Sequence, residues 1–261
     1  MRNIRLTIEY DGTNYSGWQI QNSSQLTAHS SQTKTIQETI EKTLQRILQE
    51  KIKLIASGRT DSGVHALAQV VNFRTSSKLP TANILRALNS LLPQDISSKQ
   101  IGLVNDDFNA RYSAKSKIYR YRIHNSSIPC VFFNKYSWHI PHKIDIRLIR
   151  YEARVLLGCH DFKSFCASGS GAKTTIRTIK NISIKAIDNT LYANCYTLIV
   201  IDIEADGFLY NMVRNIVGTL VEIARGRFKA GSMKKILQAK DRRLAGPPAP
   251  AQGLFLVKVK Y

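Results

Sequence analysis

The fold is decided by two neighbouring stretches, Thr175-Ile-Arg-Thr-Ile-Lys-Asn-Ile-Ser-Ile-Lys-Ala-Ile187 and Tyr192-Ala-Asn-Cys-Tyr-Thr-Leu-Ile-Val-Ile-Asp-Ile-Glu204. Both have the isoleucine-rich composition of long β-strands. Asn189-Thr190, between them, fits a turn. Antiparallel strands can be joined by so short a connection, whereas parallel strands need a long crossover. The pair therefore favours an α+β fold with mostly antiparallel sheets over a doubly wound parallel fold.

Residue patterning predicts a similar order of elements in each half of the chain. The first half gives a strand at 4–10, a helix at 36–48, strands at 52–57 and 69–74, and a helix between Pro80 and Pro93. The second half gives a strand at 117–124, a helix at 145–157, the two long strands, a helix at 208–224, a short basic helix and a strand at 254–259. We therefore expect two similar halves, at residues 1–105 and 106–261, each a mainly antiparallel sheet with helices packed on one face.

The chain is strongly basic. It has 38 Lys and Arg against 18 Asp and Glu, a formal net charge of +20. Residues 108–144 contain basic residues and no acidic one, and the strand at 117–124 alternates Tyr119 and Tyr121 with Arg120 and Arg122. Basic groups neutralise phosphates and aromatic rings stack on bases, so a nucleic acid is the expected partner. The aromatic residues also fit ordinary core packing.

Several function classes are disfavoured. The longest apolar run, residues 198–203, is interrupted by Asp202 and is far shorter than the ~20 residues that cross a bilayer. The first residues begin a strand pattern without an apolar signal core, which predicts a cytoplasmic protein with no membrane association. The four cysteines have no CxxC spacing, so we expect free thiols and no bound metal.

The loop between the strands at 52–57 and 69–74 is Gly58-Arg59-Thr60-Asp61-Ser62-Gly63-Val64-His65-Ala66. Glycines on both sides of an acidic residue allow a sharp turn that would present the Asp61 carboxylate to a ligand. Asp-Ser-Gly also fits a simple surface turn. The triplet is found in aspartic proteases too, but their chemistry needs two carboxylates that share a proton, and this chain has one such triplet.

A second candidate is Arg214, within Met212-Val213-Arg214-Asn215-Ile216-Val217-Gly218. The surrounding helix is apolar around most of its circumference, which predicts a buried helix. A buried guanidinium needs an anion, and beside Asp61 it would keep that carboxylate ionised. The pattern fits equally an arginine that extends to solvent.

Gly169-Ser170-Gly171-Ala172-Lys173-Thr174 is similar to a phosphate-binding loop, but Ala172 stands where the nucleotide-binding pattern requires glycine. No nucleotide cofactor is therefore predicted.

The loop at 58–66 closely resembles the central motif of the tRNA pseudouridine synthase A family. The resemblance continues over nearly the whole chain, in the following segments: Tyr10-Asp11-Gly12, Gly17-Trp18-Gln19, Asp107-Phe108-Asn109-Ala110-Arg111, Tyr119-Arg120-Tyr121, Met212-Val213-Arg214-Asn215-Ile216-Val217-Gly218 and Ala249-Pro250-Ala251-Gln252-Gly253-Leu254. One departure is the polar stretch at residues 21–34, which is longer than the family usually has.

The resemblance implies a role for four residues. Asp61 matches the catalytic aspartate, Tyr119 the tyrosine that packs on the target base, Arg214 the arginine that pairs with the aspartate, and Arg59 its neighbour in the motif. It also implies two similar α+β halves around a central basic cleft, a homodimer, no metal or organic cofactor, and uridines 38–40 of the tRNA anticodon arm as the target.

Asp61 would act on the ribose after the uridine is flipped out of its stack. It would either attack C1′, as in a retaining glycosidase, or remove the C2′ proton. Two other classes stay open. A non-catalytic RNA-binding protein would tolerate replacement of Asp61, and a hydrolase would normally need a second catalytic carboxylate.

Overall fold

The structure is a computed structural model that describes residues 1–20, 34–189 and 196–261. The turn predicted to include Thr190, residues 21–33 of the polar stretch, and Cys195 lie outside the described residues. The strands are β1 (Arg2–Tyr10), β2 (Ile55–Ala56), β3 (His65–Thr75), β4 (Ile96–Val104), β5 (Ser116–Asn125), β6 (Trp138–Ile140), β7 (Gly158–Asp161), β8 (Ile176–Asn189), β9 (Tyr196–Ala205) and β10 (Leu254–Lys260). The α-helices are α1 (Ile36–Leu48), α2 (Thr81–Leu91), α3 (Ile146–Ala153), α4 (Met212–Ala224) and α5 (Ser232–Ala239).

The chain divides into two compact units. The first contains Met1–Lys115 and Leu256–Tyr261, and the second contains Ser116–Phe255. The residues after 105 are bonded into the first unit, because the Asn3 side chain donates to the carbonyls of Asn105 and Phe108 at 2.8 and 2.9 Å. The chain returns to the first unit within β10.

The sheet of the first unit has the order β4-β1-β3-β10, in which β1 is antiparallel to both β3 and β4, and β2 pairs antiparallel with β3. From Ile4 to Tyr10 every second residue of β1 is buried, as the alternating pattern predicts, and Leu6 lies opposite Val71 of β3 and Ile101 of β4. Helices α1 and α2 bury their apolar faces. Each fully buried leucine or isoleucine contributes about 1.5–3 kcal/mol through the hydrophobic effect.

Helix α1 begins where the capping box predicts. The Thr35 side chain accepts the Glu38 N–H at 3.3 Å. The same helix explains why the strand predicted at 52–57 is reduced to Ile55–Ala56. The Glu41 carboxylate accepts the Leu54 N–H at 2.8 Å and the Gln45 amide donates to the Ile52 carbonyl at 3.3 Å. Side chains of α1 therefore take backbone groups that a longer strand would pair.

The second unit has an antiparallel sheet in the order β5-β9-β8-β7, with β6 parallel to β5. The two stretches that decide the fold are β8 and β9, which pair over their length with Ile182 opposite Ile203. On β5, Tyr119 and Tyr121 are buried while Arg120 and Arg122 are half-buried, so the predicted two faces of this strand are confirmed. Helix α4 is buried around most of its circumference.

The α+β class with two similar halves is confirmed, because each unit contains strands, a helix, an antiparallel pair and a further helix. Two details differ. Helix α4 begins at Met212 instead of residue 208, because Asn211 adopts the left-handed conformation and the Met212 N–H closes a turn onto Leu209. Strand β4 was not predicted, because the polar residues Ser97-Ser98-Lys99-Gln100 interrupt any apolar alternation in its first half. Among the described residues, each helix is too short or too polar to cross a bilayer.

Candidate active site

Asp61 lies in the loop between β2 and β3, at the first position of a tight turn. The Val64 N–H donates to the Asp61 carbonyl at 3.1 Å. Gly63 has φ +74°, a conformation that side-chain-bearing residues rarely adopt. The Asp61 side chain is half-buried, whereas the neighbouring Arg59 is exposed. The turn thus presents a carboxylate at the surface of a rigid loop.

The backbone of this loop is packed directly against Gly17. Gly17 has φ +88°, and a Cβ at this position would lie 2.8 Å from the Thr60 carbonyl oxygen and 3.1 Å from the Asp61 carbonyl carbon. A Cβ on Gly12 would lie 2.0 Å from the Val64 carbonyl oxygen. The two glycines therefore permit main chain to touch main chain on either side of Asp61.

Hydrogen bonds fix the loop where the glycines bring the chains together. The Trp18 N–H donates to the Thr60 carbonyl at 3.0 Å, and the Ser62 hydroxyl donates to the Tyr15 carbonyl at 3.0 Å. The Tyr10 phenol and the Thr60 hydroxyl are hydrogen-bonded at 2.7 Å in the interior. Burial raises the pKa of Tyr10, so the phenol stays neutral near neutral pH. Residues on both sides of Asp61 are thus held by buried or main-chain partners.

Hydrogen bonds also join the two ends of the loop to other segments of the polypeptide. His65 is buried, and its Nδ1 lies 3.1 Å from the Gly12 nitrogen and 3.0 Å from an Asp11 carboxylate oxygen. One nitrogen cannot both accept from the amide and donate to the carboxylate, but either bond ties β3 to the segment after β1. At the other end, the Gln69 side chain accepts the Ser57 hydroxyl at 2.7 Å and donates to the Gly58 carbonyl at 2.8 Å.

Tyr119 and Arg214, the other two predicted site residues, lie in the second unit. Tyr119 is buried on β5, and its ring packs edge-on against Phe208 with the ring centroids 4.9 Å apart. Burial raises the pKa of the neighbouring Tyr121, and the positive charge of Arg214 partly opposes this increase. The Arg214 charge is therefore close to the aromatic face of β5.

Arg214 is held at the first turn of α4. Its Nε donates to the Ala249 carbonyl at 2.7 Å and its Nη1 donates to the Asn211 side chain at 2.9 Å. The Ala249 N–H in turn donates to the Arg214 carbonyl at 3.0 Å. The side chain is half-buried, so it is neither fully enclosed nor freely extended into solvent. These bonds join the two sequence segments around Arg214 and Ala249 and fix the direction of the guanidinium.

Each pair of predicted residues therefore lies within one unit: Asp61 with Arg59 in the first, and Tyr119 with Arg214 in the second. Sequence reasoning missed Ser57 and Gln69, which hold one end of the loop, and did not foresee the bonds of the motif residue Thr60. Tyr10, Gly12, Gly17 and Trp18 were noted as motif residues, but their packing against the loop was not foreseen. Among the described residues, no group of three or more His, Cys, Asp and Glu side chains is arranged to hold a metal ion.

Comparison of the sequence with known proteins identifies one family. A family model described as tRNA pseudouridine synthase matches residues 6–113 and 153–261. A protein named tRNA pseudouridine synthase A from Acetivibrio thermocellus is 45% identical over 261 residues, which is 100% of both chains. One of the same name from Thermoanaerobacter sp. is 44% identical, also over 100% of both chains. A solved structure of an unknown protein from Galdieria sulphuraria covers 87% of this chain and 93% of its own at 10% identity, with a TM-score of 0.25.

Proposed function

The chain belongs to the tRNA pseudouridine synthase family, and we propose that it modifies uridines 38–40 of the tRNA anticodon arm with Asp61 as the catalytic carboxylate. As an isomerase of this family, the protein converts uridine to pseudouridine in tRNA. It acts in the cytoplasm as a homodimer. The observation that carries the assignment of Asp61 is its rigid presentation: both flanks are fixed by main-chain contacts, while its side chain is partly accessible.

The reaction needs no redox partner and no energy donor. The bond between ribose C1′ and uracil N1 breaks, the base turns, and a bond forms between C1′ and C5. The C5 proton leaves and N1 gains a proton, so atoms and electrons balance. An ionised carboxylate beside an electron-deficient C1′ stabilises the first step, as in retaining glycosidases. Asp61 supplies that carboxylate.

Tyr119 and Arg214 are the proposed substrate-binding residues of the second unit. The Tyr119 ring packs on the extruded uracil, and Arg214 contacts the RNA backbone. The support for this role of Arg214 is its anchoring, because Ala249 and Asn211 restrict a long side chain to one direction. Arg59 is exposed and contacts the RNA backbone.

Replacement of Asp61 tests the assignment. Asp61→Asn should abolish tritium release from C5-labelled uridine in tRNA and leave the Kd for tRNA within a few-fold, because phosphate contacts dominate affinity. Glu9→Gln is a matched control, since it removes one negative charge from a partly exposed position on β1 of the same unit. Full activity of Asp61→Asn would support a non-catalytic role for Asp61. Sequencing of the modified tRNA locates the target uridines.

Two routes use the same carboxylate, and an isotope effect separates them. Attack on C1′ gives a covalent ribosyl-enzyme intermediate, whereas removal of the C2′ proton gives a glycal. Deuterium at C2′ should slow single-turnover chemistry severalfold if the C2′ proton is removed, and should change the rate only slightly if Asp61 attacks C1′. Light scattering of the purified chain tests the homodimer.

A further inference from the structure

Tyr112 and Arg111 form an exposed pair on the first unit. The Tyr112 side chain is 78% exposed, which is unusual for a large aromatic residue. The Arg111 guanidinium is also exposed and lies over the Tyr112 ring, 5.4 Å from its centroid. This cation–π contact holds the two side chains together at the surface.

The side chain of Asn109 stabilises the turn that carries this pair. Asn109 Oδ1 accepts the N–H groups of Arg111 at 3.0 Å and Tyr112 at 3.2 Å. The Ser113 N–H donates to the Asn109 carbonyl at 2.9 Å, which closes the turn. The backbone beneath the pair is therefore ordered although its side chains are exposed.

A buried polar network connects the turn to the core of the first unit. The buried Asn72 side chain accepts the Ala110 N–H at 2.9 Å, and the Tyr261 hydroxyl donates to the Ala110 carbonyl at 2.9 Å. Asn72 is in turn hydrogen-bonded to the buried Asn3 side chain at 2.9 Å. Buried amides are costly unless satisfied, and a satisfied network specifies one backbone position. This network fixes where Arg111 and Tyr112 project.

We propose that Arg111 and Tyr112 bind one nucleotide of the substrate tRNA outside the catalytic loop, an inference that rests on the proposed function. The Tyr112 ring stacks on an unpaired base, and the Arg111 guanidinium contacts an adjacent phosphate. These are the two interactions by which proteins hold single-stranded RNA. Residues 108–144 contain seven basic residues and no acidic one, and the exposed Asp106 and Asp107 precede this stretch.

The decisive measurement is the Kd for an unmodified tRNA transcript, determined by filter binding independently of turnover. Tyr112→Ala should raise this Kd roughly five- to hundredfold, the range for loss of one stacked base. Tyr112→Phe should restore most of the affinity, because it retains the ring. Arg111→Gln should lower the slope of log Kd against log salt concentration by about one, and Tyr112→Ala should leave this slope unchanged.

Matched controls lie elsewhere on the surface. Tyr151→Ala removes a tyrosine that is 63% exposed, and Arg86→Gln removes an exposed arginine of the first unit; both should retain wild-type Kd. An unchanged Kd for Tyr112→Ala overturns the inference. So does a lower molecular mass of Tyr112→Ala in light scattering with unchanged tRNA affinity, which would assign the pair to a protein interface. If wild-type protein forms no pseudouridine, the proposed function fails, and the Kd values still decide whether the pair binds RNA.

Discussion

The Tyr10 phenol and the Thr60 hydroxyl meet at 2.7 Å inside the first unit and join the end of β1 to the residue before Asp61. Tyr10→Phe removes this bond and keeps the ring that packs near Trp18 at 6.0 Å between centroids. We expect a loss of about 1 kcal/mol in the free energy of unfolding, and a severalfold lower kcat because Asp61 is less well positioned.

Urea denaturation and single-turnover pseudouridine formation measure these two effects. Thr60→Val should give the same losses, and the double variant should lose little more than either single variant, because each change removes the same bond. Fully additive losses would show that the two hydroxyls act independently.

Gly17→Ala tests the contact between main chains beside Asp61. The substitution places a Cβ 2.8 Å from the Thr60 carbonyl oxygen in a residue with φ +88°, so we expect a loss of at least about 2 kcal/mol in the free energy of unfolding. The control is Gly102→Ala on β4, where a Cβ would have no neighbour within 4 Å. It should change stability by no more than about 0.5 kcal/mol. Equal stabilities of the two variants, measured by thermal unfolding, would contradict this account.

Arg214→Lys and Arg242→Lys separate structural from catalytic roles of an arginine. Each wild-type side chain is half-buried and donates to one carbonyl and one asparagine side chain: Ala249 and Asn211 for Arg214, Ala245 and Asn215 for Arg242. Lysine cannot reproduce the planar fork, so both variants should lose about 1–3 kcal/mol in stability. Only Arg214→Lys should lower kcat by roughly a hundredfold, through misplacement of the groups around the uridine.

Steady-state kinetics on tRNA, at a temperature where both lysine variants are folded, gives the comparison. Similar kcat values for the two would remove Arg214 from the proposed site and leave it a structural role.

Glu50 should contribute to acid stability. Hydrogen bonds from Thr75 and Ser76 lower the pKa of its carboxyl from 4.5 to about 2. A carboxyl group whose pKa is lower in the folded state than in the unfolded state stabilises the protein at pH values above its unfolded-state pKa. This stabilisation is lost as the pH falls through the folded-state pKa. The stability difference between wild type and Glu50→Gln should therefore be constant above about pH 5 and shrink between pH 4.5 and about 2.

The size of this difference should be under about 1 kcal/mol, because solvent screens a carboxylate near the surface. Urea denaturation at several pH values measures it. A difference that persists undiminished at pH 2 would show that the Glu50 carboxylate is not the titrating group.

Local pattern was sufficient to predict much of the fold and the turn that carries Asp61. Thr35 marks the start of α1, and Gly58 to Gly63 mark a turn, because capping and turn preferences act between residues close in sequence. Contacts such as Tyr10 with Thr60 join residues far apart along the chain, and no local pattern encodes them. Gly17 was recognised as a motif residue, but its contact with the main chain of Thr60 and Asp61 could not be inferred without the fold. Strand β4 is stabilised by pairing with β1 rather than by its own polar composition.

The return of Leu256–Tyr261 to the first unit has a consequence for biosynthesis. Within that unit β10 lies beside β3, the Lys115 N–H donates to the Lys260 carbonyl at 2.8 Å, and Tyr261 bonds the turn beneath Arg111. The ribosome synthesises the N-terminal residues first. In the nascent first unit, the edge of β3 that pairs with β10 is therefore unpaired while the second unit is translated. Its final hydrogen bonds can form only after residues 256–261 have been translated and have left the exit tunnel.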